Sequence, residues 1–227
     1  MAGVLISAFT IYAVINRNGR AAQSLRNDSY DGAAVINTMT EYTRYASPWL
    51  TSDDQPMCAS GLSSDRLDTL KYGVTASSNT LWLAVRESTA VGTTMDYILY
   101  RFSFVASGQV INQGVAKIAY QPQYSSERIT SSGGGSCQTT PIASGISLLP
   151  TDLVVIQDGS WMLVGVNSLS VNGDVVGQLT LDPNEFRSPR EVVVRFMVVN
   201  QTQPNRAPFG YTTTTVPRDF ASEFVAL

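Results

Sequence analysis

The run Leu5-Ile6-Ser7-Ala8-Phe9-Thr10-Ile11-Tyr12-Ala13-Val14-Ile15 governs how the rest of the chain is read, and no charged residue precedes Arg17. As a helix, about 15 residues rising 1.5 Å each reach roughly 22 Å, short of the ~30 Å hydrocarbon core that a spanning helix must cross. A cleaved secretory signal carries its basic residues before the apolar run and small residues after it. Here the order is reversed, with Asn16-Arg17-Asn18-Gly19-Arg20 behind the run. A buried core helix is one reading. The remaining half of a membrane segment, with residues upstream of Met1 missing, fits the pattern better.

Working outward, Ala22, Leu25, Ser29, Ala33, Ile36, Met39 and Thr43 recur at steps of three and four, and Tyr42, Tyr45 and Ala46 widen the stripe. That spacing predicts an amphipathic helix with Arg26, Asp28, Asp31, Asn37, Glu41 and Arg44 mostly off its apolar face. Gly19 and Gly32 each weaken a helix by about 1 kcal/mol relative to alanine, and either is a place for a bend. Ser47-Pro48 stops it, because a residue before proline avoids the helical region. The expected organisation is a helix over residues 1–47, with an apolar anchor half 1–15 and an amphipathic half 16–47, followed by a β-rich head over 48–227.

Within the head, 51–68 reads as loop. Asn79–Arg86 and Asp96–Val105 are rich in β-branched and aromatic residues and are close enough for a hairpin. Ser107-Gly108 reads as a turn, Gln109–Tyr120 as a further strand, and Ser125–Thr140, with its Gly133-Gly134-Gly135, as a flexible exposed loop. No lysine follows those glycines in the way a phosphate-binding loop requires. Asp158-Gly159 and Asn172-Gly173 are pairs favoured in tight type I′ turns, so a hairpin is expected at each. Glu191–Asn200 is the strongest strand signal, and Tyr211–Val216 is its expected partner. The fold class predicted is α+β, a long N-terminal helix packed on an antiparallel β-sheet head.

Composition limits the chemistry. Of 227 residues only 15% are charged, the net charge is −3 and there is no histidine. The usual Ser/His triad and histidine-bearing metal sites are thereby removed, and no basic footprint points to nucleic acid. Asp53-Asp54 and Asp65 with Asp68 lack calcium-loop spacing and read as solvated turn residues. No catalytic residue, metal or cofactor is expected. Trp82 and Trp161 fall within strands and read as core, and Trp49 reads as a seat for the helix. A low charge with abundant Ser, Thr, Asn and Gln looks like an exported protein, where Cys58 and Cys137 are expected to form a disulfide, two free thiols being the alternative.

Three segments carry a resemblance: Ala2–Ile15; Ser24-Leu25-Arg26-Asn27-Asp28-Ser29-Tyr30 through Met39-Thr40-Glu41-Tyr42-Thr43-Arg44-Tyr45-Ala46; and Arg190–Asn200 followed by Tyr211-Thr212-Thr213-Thr214-Thr215-Val216-Pro217-Arg218. In this order they resemble type IV pilin-like proteins, specifically the minor pilin W and type II secretion pseudopilin J families. The family's peptidase motif and its assembly glutamate have no counterpart in the sequence. The resemblance implies a non-enzymatic subunit of a filament tip or priming complex, held in the inner membrane and then in an extracellular or periplasmic filament. Its implied partners are other minor pilins or pseudopilins and the major subunit. Leu5, Ile6, Phe9, Ile11, Tyr12, Val14 and Ile15 are the implied helix-packing residues. A membrane-tethered adhesin or ligand-binding domain, using the 125–140 loop or exposed aromatics, is the alternative.

Overall fold

A computed structural model describes residues 2–47, 58, 60–77, 79–86, 97–131, 135–157, 159, 163–168, 170–171, 174–175, 179–182, 185–187 and 190–217. Side chains are described for these residues except most of those before 22, that of Ser131 and all of 166–190. Helix α1 spans Ala2–Arg44 and α2 spans Ser64–Tyr72. The strands are β1 (Val74–Ser77), β2 (Thr80–Arg86), β3 (Tyr97–Asn112), β4 (Val115–Ser131), β5 (Cys137–Ser147), β6 (Leu153–Ile156), β7 (Val164–Ser168), β8 (Ser170–Val171), β9 (Asp174–Val175), β10 (Leu179–Asp182), β11 (Glu185–Arg187), β12 (Arg190–Asn200) and β13 (Phe209–Thr215).

Nine of these strands form one antiparallel sheet, in the order β1-β2-β3-β4-β6-β12-β13, with β5 on β4 and β7 on β12. The sheet twists until β7 comes up against β1, so it curls toward a closed barrel. Alternation then sends one set of side chains inward. Leu81, Leu83, Phe102, Phe104, Val155, Val192, Val194, Phe196 and Val198 form the principal core, and Val35, Ile36 and Met39 of α1 pack into it. After Arg44 the chain leaves the helix to join the sheet. Ala46 bridges Val85, and the Ser47 amide donates to the Ala84 carbonyl at 2.8 Å.

The expected α+β class is overturned. The protein is mainly antiparallel β, and no long helix lies along the sheet: within α1, burial begins at Asp28, while the described residues ahead of it are exposed apart from the half-buried Ser24. The head reads as β-rich in sequence, but the full length of β3 and β4 and the whole of β5 escape that reading for a physical reason. Along β5 nearly every residue faces solvent, and β3 and β4 form a long ribbon exposed at its tip, so neither shows clean apolar–polar alternation. Ser107-Gly108 is a bulge within β3 rather than a turn; the ribbon turns instead at Gln113-Gly114, where both residues have positive φ. Residues 125–131 and 137–140, expected as loop, are strand, while 132–134 lie outside the described residues.

The hairpin expected at Asp158-Gly159 is also overturned. β6 and β7 do not pair with each other but follow one another along the same edge of β12, with Met197 opposite Ile156 and Val194 opposite Val164. Two apolar runs can therefore flank a turn-like dipeptide without pairing with each other. At 172–173, which lie outside the described residues, the flanking β8 and β9 do pair. β2 pairs with β3 and β12 with β13, as their composition predicts. Helix α2 occupies part of a stretch that reads as loop; it is short, polar and fixed to the sheet through buried Thr69 and Leu70.

Candidate functional site

Two places concentrate polar and aromatic side chains. The first is where α1 meets the sheet. The Asp28 carboxylate accepts from Arg206 Nη1 at 2.8 Å and from Asn200 Nδ2 at 3.2 Å. One turn on, Gly32 lies under the Tyr211 ring, whose hydroxyl donates to the Ser29 carbonyl at 2.7 Å. A Cβ at Gly32 would stand 2.5 Å from that ring. Gly32 is therefore a close-approach position and not a bend. Farther along, Tyr42 packs against Tyr100, Phe102 and Tyr124 with ring centroids 4.5 to 6.0 Å apart. Burial first, then the neighbouring Tyr124 hydroxyl, raises the Tyr42 pKa above its ordinary value.

The buried stripe of α1 is therefore Asp28, Gly32, Val35, Ile36, Met39 and Thr43, rotated from the expected one. Ile36, Met39 and Thr43 belong to both, but Ala22 and Leu25 are exposed, and Asp28, expected on the polar face, is buried. Ahead of the clamp about 25 residues of helix extend roughly 37 Å. Of the expected packing residues, Val14 is 51% exposed. The side chains of Leu5, Ile6, Phe9, Ile11, Tyr12 and Ile15 lie outside the described residues. Among the described residues, no helix is long and apolar enough to cross a membrane.

The second place is the outer face of the sheet. Cys58 and Cys137 form the expected disulfide, closing 79 residues of sequence, and both are buried. They sit in a small apolar core with Leu70, Ala84, Tyr97, Leu99 and Ile129, although their neighbours in sequence are mostly small or polar. Beside them Ser60 bridges Ser136, and Gly61, at φ +91°, lies so close to the Cys137 carbonyl that a Cβ would stand 2.5 Å from its oxygen. In the chain-entropy picture such a loop contributes about 4 to 5 kcal/mol.

Where this cover ends, a cleft of about 200 Å³ opens, lined by Arg66, Trp82, Leu99, Arg101, Ser125 and Glu127 among others. Register builds it: Trp82 is opposite Arg101, and Arg101 opposite Ser125, giving one row across β2, β3 and β4. Arg66 reaches over from α2 and holds Glu127 with two parallel hydrogen bonds, Nε to Oε1 and Nη2 to Oε2, the latter 3.0 Å long. The Glu127 carboxylate raises the Arg66 pKa above its ordinary value. Both guanidinium groups lie over the Trp82 ring, Arg66 at 5.6 Å and Arg101 at 5.4 Å from its centroid.

Trp82, expected in the core, is thus half-buried on the outer face. Trp49, Trp161, Asp53 and Asp54 lie outside the described residues, and Asp65 and Asp68 are exposed on α2. Arg66, Arg101, Glu127 and Arg206 carry no local motif, though the pairing of Trp82 with Arg101 follows from the β2–β3 register once that hairpin is recognised. Compared with known protein families, curated proteins and solved structures, the chain matches none.

Proposed function

We propose that this chain is a minor structural subunit of a type IV pilus, or of the related type II secretion pseudopilus, joined to other subunits through the front half of α1. One observation carries the reading: a continuous helix is clamped to the β head only from Asp28 onward, while its front half holds the uncharged run Leu5–Ile15 and leaves Val14 exposed. An apolar helix side chain exposed as Val14 is would be stabilised by burial against similar helices. The occupants of that face are then apolar helices of neighbouring subunits, with the head free to select its neighbours. The residues proposed to pack there are Leu5, Ile6, Phe9, Ile11, Tyr12, Val14 and Ile15, of which Val14 is the one with a described, exposed side chain.

Site-specific photocrosslinking tests this. A crosslinker at Val14, in cells that express a pilus or secretion system accepting this chain, is expected to trap other minor subunits or the major subunit through their helices. A crosslinker at Arg101, on the outer face of the head, is the control and is expected to give a different product pattern. Crosslinking from Val14 to lipid or to unrelated proteins alone would remove the assembly reading.

A further inference from the structure

We propose that the cleft between α2 and the β2–β3–β4 row binds an acidic monosaccharide unit, its carboxylate on Arg101. This inference is independent of the filament reading, since it concerns the face of the sheet opposite α1.

The argument begins with charge. Arg66 and Glu127 neutralise each other through their paired hydrogen bonds. Arg101 has only a long contact, 3.5 Å, to the Ser125 hydroxyl, and among the described residues it has no carboxylate partner. The cleft therefore keeps one net positive charge. The Trp82 ring, its centroid 5.4 Å from the Arg101 guanidinium carbon, supports that side chain over the cleft, and a guanidinium can hold a carboxylate by two parallel hydrogen bonds. Beside it, Ser125 is oriented by the Gly145 amide, which donates to its Oγ at 3.0 Å, and Ser144 adds a second hydroxyl. Leu99, Pro141 and Ala143 supply apolar walls. A carboxylate beside several hydroxyls on a ring matches a guanidinium that has no carboxylate partner among the described residues and stands beside serines, and a cleft of about 200 Å³ suits a single sugar ring. The Arg66–Glu127 pair acts as a positioning element, because it anchors α2 at the cleft rim and holds a second guanidinium against Trp82.

The test titrates the full chain with sodium glucuronate, with glucose and with an acidic peptide, followed by tryptophan fluorescence and by amide chemical shifts. Glucuronate is expected to bind with millimolar affinity and to shift the Arg101 and Ser125 amides, with glucose weaker by about tenfold, the scale of one charge-assisted hydrogen-bonded contact. Arg101→Ala is expected to lose about tenfold in glucuronate affinity by the same contact, with its thermal midpoint unchanged because Arg101 is exposed. Equal binding of glucuronate and glucose, unchanged affinity in Arg101→Ala, or binding of the acidic peptide but not the sugar would each overturn the proposal. No binding of either sugar to a folded wild-type chain would overturn it as well.

Discussion

The two halves of α1 share one backbone and differ in everything that surrounds them. From Asp28 to Arg44 the helix is held by an ion pair, a ring stacked on a glycine and a three-residue apolar insert; before Asp28 its described side chains are solvated apart from the half-buried Ser24. The lesson is that helical periodicity reports which residues can share a face, whereas burial depends on whether anything is there to cover it. Leu25 fits the apolar stripe and is 41% exposed; Asp28 breaks the stripe and is buried.

This contrast is open to direct attack. Asp28→Ala removes the carboxylate that Arg206 and Asn200 share, leaving Arg206 Nη1 only Gln203 Oε1 at 2.9 Å, and because the pair is largely buried the loss is expected at the lower end of that for a buried pair, about 3 kcal/mol. Chemical denaturation should show that loss, and a change near zero would mean the ion pair does not clamp the helix. Met39→Ala removes a fully buried side chain from the principal core, with an expected cost of about 2–5 kcal/mol, while Leu25→Ala, on the solvated half, should stay within about 0.5 kcal/mol. Similar losses at the two positions would erase the distinction between the halves.

Gly32→Ala is the finer probe. The general rule makes alanine the better helix former by about 1 kcal/mol. At this position the new methyl group meets the Tyr211 ring, which is tied to the Ser29 carbonyl, so a net loss of about 1–3 kcal/mol is expected from overpacking. A gain in the urea midpoint would show that the ring moves freely. The smallest effect concerns alkaline pH. With the Tyr42 pKa raised in the folded state above 10.0, the unfolded chain releases its proton first. The associated stability is fully present below pH 10.0 and declines as pH rises from there through the raised folded value. Tyr42→Phe should flatten that part of the alkaline decline, measured as denaturation midpoints on either side of pH 10.0.

Much of the outline is legible without coordinates. Ser47-Pro48 ends the expected helix within three residues of its observed end at Arg44, β-branched density finds β2, β12 and β13, and two cysteines in an export-like composition pair as expected. The cleft is less so: Trp82 stands out by type, but Arg66, Arg101 and Glu127 look like scattered surface charges, because they meet only through sheet register and the placement of a short polar helix. Strands exposed on both faces hide for a related reason, since nothing on either face has to be apolar.

By itself, then, the sequence determined the long N-terminal helix, its uncharged front, the strongest strands and the absence of histidine chemistry. Tertiary structure decided the class, because the curl that brings β7 against β1 joins residues more than 80 positions apart. It decided equally that Asp28 goes inside, since its compensating charge, Arg206, lies 178 residues away. Local propensity is a property of neighbours along the chain; burial of a charge or closure of a sheet depends on partners that only folding brings together.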